Sequence, residues 1–295
     1  MKETGSISAH SPASGDTARG FSLMLGSAIL FATLGLLIKL LGPNYRVWDI
    51  AIYRFGGGVI VLYGLFGWQQ NLFKPRNPKM MLVRGITGSC AFIALVLAIR
   101  LIPLSTTMVF FYSYPAFAAV FSPLLFGERI SVGEIVSVIL AILGVAILFD
   151  FQFEGGIFGQ LMALTGAVFA GLTVALIKKL RETHGSVIIY FYFCLIGTAI
   201  AIGPFSVNPQ YPTVTPEWFI VGGIIFTSIV AQLLMNQGFR YCKSWEGGLF
   251  MTSELIFVSI FGILFLEEPV TWRFWTGGML ILISAAGSNF LKKGR

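Results

Sequence analysis

A few ionisable and strongly polar side chains interrupt the long apolar stretches of this chain, and these are the residues that could do chemistry. Glu254, in "SELIFVSIFGILFL", is the ninth residue of the apolar stretch 246–266. At 1.5 Å per helical residue it lies about 12 Å from the inner end, too deep for a short side chain to reach water. A carboxyl group there binds a cation or a proton, or serves as a hydrogen bond between helices. Arg54 is the seventh residue of the stretch that starts near Trp48, about 9 Å below the outer surface. Its guanidinium either snorkels outward or grips a carboxylate through two hydrogen bonds. Tyr112 and Tyr114 sit beside Phe110, Phe111 and Pro115 in "MVFFYSYPAF", as cavity wall or as helix filler. Gln232 and Asn236 are placed to orient a solute. Lys39, near the outer end of its stretch, snorkels or joins them. Arg84, Lys178 and Lys179 lie near inner ends, where basic residues set orientation.

Other chemistry finds no residues to carry it. Cys90, Cys194 and Cys242 are scattered without a CxxC spacing, so neither a disulfide framework nor a metal site is expected. His10 and His184 fall in the tail and in a loop, which leaves no histidine relay. There is no GxxxxGK[ST], HExxH or GxSxG run, so ATP drive and hydrolysis are not expected. The reading is of a non-enzyme without a cofactor or metal. Gly155 and Gly159 form a GxxxG, a weak mark of dimerisation among 34 glycines; the chain is read as a monomer or a homodimer.

The elements that hold these residues follow from composition. The chain of 295 residues is 56% hydrophobic and 11% charged, with a mean hydropathy of +0.83. Soluble domains carry about 25% charged residues, so the partner of this surface is a lipid bilayer. The net charge of +7 lies in short joints rather than in a basic patch on soluble structure, and nucleic acid is excluded as a partner. A crossing takes about 20 apolar residues. Ten stretches qualify: 22–41, 48–68, 81–99, 104–126, 132–149, 157–178, 186–204, 217–238, 246–266 and 272–291. Residues 1–20 are polar, without a signal-peptide core, and read as a disordered cytoplasmic tail. With the N-terminus inside, 15 of the 20 lysines and arginines face the cytoplasm, as basic-residue asymmetry requires. Both termini then lie inside, in a cell (inner or plasma) membrane. Trp245 reads as an interfacial anchor.

The chain also repeats itself. "LLFGERIS" at 124–131 and "FLEEPVT" at 265–271 align with a shift of 268 − 128 = 140, which sets Glu128 on Glu268 and Tyr114 on Glu254. Five spans per half is an odd number, so the second half enters the membrane upside down. Two inverted halves can rock about a central site, the plan of many secondary transporters.

These residues resemble the EamA-type branch of the drug/metabolite transporter superfamily. The resemblance rests on "YRF" at 53–55, "YPAFAAVFSPLLFGERIS" at 114–131, "GVAIL" at 144–148 and "SELIFVSIFGILFLEEPVT" at 253–271. It implies an all-α integral membrane protein of ten transmembrane helices in two inverted five-helix repeats, residues 21–150 and 156–292. It further implies a gradient-driven carrier or exchanger whose cavity is framed by spans 1, 3, 4, 6, 8 and 9. The branch often has Glu-Pro in span nine; here Leu255 follows Glu254, and the proline stands in the first half as Pro115. A bilayer core of about 30 Å leaves roughly 9 Å of depth between Glu254 and Arg54, the scale of a small metabolite. The expected solute bears a carboxylate for Arg54 and an amino group or proton for Glu254, as an amino acid or organic acid would. The alternatives are a multidrug or lipophilic-cation exporter, an intramembrane enzyme and a channel.

Overall fold

A computed structural model describes residues 14–69, 71–126, 132–148, 156–241, 247, 250–251, 253–268 and 271–290. Glu128, Cys242, Trp245 and residues 1–13 of the tail lie outside the described residues. The described chain is helical, with no strand: α1 (Ser14–Leu40), α2 (Val47–Phe66), α3 (Pro78–Leu101), α4 (Leu104–Phe111), α5 (Tyr114–Phe126), α6 (Val132–Leu148), α7 (Gly156–Leu180), α8 (Ser186–Val207), α9 (Thr215–Gly238), α10 (Glu254–Leu266) and α11 (Trp272–Phe290). The first helix starts at Ser14, within the polar stretch whose composition reads as a tail. Among the described residues, seven stretches are long and apolar enough to cross a membrane, with α4 and α5 counted as one; α10 is a shorter apolar helix. Ten such stretches were expected from the sequence.

Large apolar side chains point outward, as in Ile60 (74% exposed), Leu124 (75%) and Phe219 (77%), while Ser27, Asp49, Gln160, Ser228 and Asn236 are wholly buried. This is the distribution a lipid solvent imposes, since every polar group within it needs an internal partner. Side chains take up free amides at the starts of α2, α3 and α9. Asn77 accepts from the Met80 amide at 3.1 Å with Pro78 in the first turn of α3. Asp49 accepts from the Arg46 amide at 2.7 Å, and Glu217 from the Thr213 amide at 2.8 Å.

The expected fourth span is not one helix. It breaks at Tyr112–Ser113 into α4 and α5, and Pro115 becomes the second residue of α5. Proline lacks the amide that a continuing helix needs there, but a first turn does not use it. At the corresponding place in the ninth span Ser253 is a turn residue, without a proline beside it. The Ser253 amide reaches back to the Phe250 carbonyl at 3.3 Å, and α10 starts at Glu254.

Helices α1 and α9 pack together, as do α3 and α7, α2 and α8, α6 and α11, α5 and α7, and α1 and α10. Close approach needs glycine: a Cβ on Gly171 of α7 would lie 2.8 Å from the Tyr114 carbonyl oxygen of α5. Gly159 has a similar duty, since its Cβ would lie 2.7 Å from Ile102; it packs within the chain. The joints gather at two ends. At one, the Tyr45 hydroxyl donates to Glu217 at 2.9 Å, and burial together with that carboxylate pushes the phenol up to about 12. At the other, the Arg76 amide donates to His184 Nε2 at 2.9 Å and Arg181 to Gln237 at 2.9 Å.

Candidate functional site

Between the helices lies a cavity of about 120 Å³. One water needs about 10–15 Å³ on this measure, so the space suits a solute of metabolite size. Arg54 from α2, Tyr112 after α4, Tyr114 from α5, Gln232 from α9 and Glu254 from α10 all line it, among Phe31, Phe92, Phe111, Phe193, Met108 and Met251. The two remaining candidates do not line it. Lys39 donates to the carbonyls of Ile99 at 2.8 Å and Ile102 at 3.2 Å, where it closes the C-terminus of α3. Asn236 is buried and accepts from Gln232 Nε2 at 3.2 Å, so it supports Gln232 from behind.

Glu254 is buried and is the first residue of α10. The free amides of a first turn carry a partial positive charge that favours a carboxylate there. The Tyr112 hydroxyl donates to its carboxylate, and the Tyr112 and Tyr114 rings stack at an angle with centroids 5.5 Å apart. Tyr114 is likewise the first residue of its half-helix. These three residues form an acidic cluster.

The cavity wall also carries basic groups. The Arg54 guanidinium lies 4.0 Å from the Phe92 ring centre and 5.6 Å from that of Phe193. A desolvated cation–π contact of this kind is worth about 2 kcal/mol, which offsets part of the burial cost. Arg54 and Glu254 line one cavity without forming a direct ion pair; the ion pairs among the described residues are Arg46–Asp49 and Lys179–Glu182.

A second basic residue joins Arg54, one whose place near a helix end predicts an orienting role. Arg84 does not reach the protein surface. It is 1% exposed, lines the cavity and stands 4.2 Å from the centre of the Phe193 ring. Gly88, one turn on, makes room for it: a Cβ there would lie 2.2 Å from Arg84 Nη1. The small residue four positions after the arginine was the available signal, since residues four apart share a helix face. Cys90 and Cys194 are free thiols. Among the described residues no three histidines, cysteines or carboxylates gather where they could hold a metal.

The cavity inside the bundle is thus lined by a buried acid, two buried bases and aromatic rings. The model of the EamA-like transporter family matches residues 18–150 and again residues 157–290. The pseudopaline exporter CntI of Pseudomonas aeruginosa is 25% identical over 276 residues, 93% of this chain and 97% of its own. Human solute carrier family 35 member G1 is 22% identical over 93% of this chain and 79% of its own. A solved crystal structure shares the fold with a TM-score of 0.68, at 19% identity over 95% of this chain and 98% of that one. With the family matched over both halves, this multi-pass membrane protein belongs to the EamA-like transporter family.

Proposed function

We propose that the protein is a secondary-active carrier of a small carboxylate-bearing solute, an amino acid or organic acid, working by alternating access. Arg54 takes the carboxylate, Glu254 an amino group or a proton, and Tyr112, Tyr114 and Gln232 the remainder. The observation that carries this reading is that Arg54 and Glu254, 254 − 54 = 200 residues apart, line the same cavity. Two buried guanidiniums on that wall oppose a lipophilic cation and favour an anion.

Two inverted five-helix halves supply the motion in this reading. A shift of 140 sets α5 (Tyr114–Phe126) on α10 (Glu254–Leu266) at both ends, and the end of α1 (Leu40) on that of α7 (Leu180). The same shift exchanges the α1–α9 contact with α3–α7, and α5–α7 with α1–α10. Contacts that recur in pairs allow one half to exchange its packing with the other at little net cost. The termini face the cytoplasm of the inner or plasma membrane.

The test is solute uptake by the purified protein in proteoliposomes, with and without solute on the far side. Saturable flux of an amino or organic acid, accelerated from the far side and lost in Arg54→Ala, is expected. Flux that competes with no carboxylate, or that survives Arg54→Ala with esterified substrate, sinks the carboxylate assignment.

A further inference from the structure

The carboxylate reading uses one guanidinium, and the cavity contains two. Arg54 is 5% exposed and Arg84 1% exposed. Arg54 Nε and both Nε and Nη1 of Arg84 have no hydrogen-bond partner. Buried guanidinium donors left unpaired are costly, because each has given up water and received nothing in return. Among the described residues neither side chain forms an ion pair: both ion pairs lie elsewhere, and Glu254, the acid on the described cavity wall, accepts from Tyr112 and acts on Arg54 only through space. The other groups nearest the pair are the phenol of Tyr190 and the thiol of Cys194.

The two guanidiniums work as a unit. Their central carbons stand 5.6 Å and 4.2 Å from the same Phe193 ring centre, so they are no more than 9.8 Å apart, the sum of those distances. Gly88 provides the space in which Arg84 turns inward. Lipid penalises each such charge by about 2.5–3.5 kcal/mol at mid-span, so a second arginine with no ion-pair partner among the described residues points to a ligand.

We propose that the cavity selects solutes with two carboxylates, one taken by Arg54 and the other by Arg84. This rests on the carboxylate reading above and narrows it. The charges agree for either state of Glu254. When Glu254 is ionised, the wall carries one surplus positive charge, which a diacid with one amino group cancels. When Glu254 is protonated, the surplus is two, which a plain diacid cancels. A zwitterion with one carboxylate leaves Arg84 unpaired in both states.

The test compares probes that differ by one carboxylate: glutamate against glutamine, and succinate against butyrate. Binding to the purified full-length carrier in phosphatidylethanolamine–phosphatidylglycerol vesicles is read by radioligand and by thermal stabilisation. Wild type should prefer each diacid at least about tenfold, because a site built to bond a group rejects the analogue that lacks it. Arg84→Gln should shrink that preference to about twofold or less, as expected for loss of one charge-assisted partner. Arg84→Lys, which keeps the charge, should retain part of the preference. The wild-type comparison needs no variant, so misfolding of a variant cannot shelter the proposal. Equal binding of diacids and monoacids, a preference undiminished in Arg84→Gln, or stronger competition by inorganic phosphate than by any diacid overturns it. Monoacid binding that depends on Arg54 would then leave the broader carboxylate reading standing, whereas binding of no carboxylate at all overturns both.

Discussion

Replacing Glu268 by alanine removes the side chain that joins the end of α10 to the start of α4. The carboxylate accepts from the Leu104 amide at 2.5 Å, from the Ser105 amide at 2.9 Å and from the Ser105 hydroxyl. It therefore caps α4 from 164 residues away. Gly262 leaves the space, since a Cβ there would lie 2.9 Å from Glu268 Oε2. Loss of a helix cap costs about 0.5–2 kcal/mol, and each hydrogen bond to a charged acceptor contributes about 1.5–3 kcal/mol. Glu268 is half-buried, so solvent replaces part of the loss, and the expected cost is about 2 kcal/mol. At about 2–4 °C per kcal/mol, the melting temperature should fall by about 4–8 °C. The control is Glu267, its exposed neighbour, which has a left-handed backbone (φ 50). Glu267→Ala removes the same formal charge and should stay within about 0.5 kcal/mol, and Glu267→Gly, free of the left-handed penalty, should not destabilise. The assay is fluorescence-monitored melting of the detergent-solubilised protein, at low and high salt. Equal losses for Glu267→Ala and Glu268→Ala would show that net charge, and not the cap, matters, and would refute the argument.

Three further outcomes are expected. Glu254→Gln should cut transport at least about tenfold, the scale of a lost acid–base or charged contact, while size-exclusion profiles stay close to wild type; an active Gln variant with unchanged pH dependence returns Glu254 to a structural role. Burial holds the His184 imidazole below its ordinary value of 6.5, with Nε2 free to accept from the Arg76 amide. The unfolded chain then takes up the proton first, so this stabilisation is full above 6.5 and is lost as the pH falls from there through the folded value. Melting temperature should drop between neutral and mildly acidic pH in wild type and less in His184→Gln, and an identical drop in both counts against this account. In a background without the native cysteines, Cys substituted at Asn208 should react with impermeant reagents from outside and Cys at Lys74 from inside, both positions being exposed; labelling of both from one side contradicts the inverted arrangement.

Composition alone determined the solvent of this protein, because no arrangement of a chain with 56% hydrophobic and 11% charged residues yields a polar exterior. Depth along the apolar stretches was also legible, since the rise per residue is fixed, and depth singled out Glu254 and Arg54. The direction each side chain takes around its helix was not. In lipid the outside of a bundle is as apolar as its core, so hydrophobic periodicity does not mark the face that turns inward. Lys39 and Arg84 show the consequence. Both are basic residues near helix ends, yet one closes the carbonyls of α3 and the other enters the cavity through the gap at Gly88. The same holds for "LEEPVT", where two identical side chains stand in a row and the tertiary structure alone decides which of them caps α4. It holds too for the break before Glu254, which no proline announces. That helix starts where it does because the Ser253 amide turns back to Phe250, leaving the first turn of α10 to hold a buried carboxylate that the Tyr112 hydroxyl meets from another helix. Contacts between residues so far apart in the chain depend on how whole helices pack, and the packing of this bundle is set by where its glycines allow two backbones to approach.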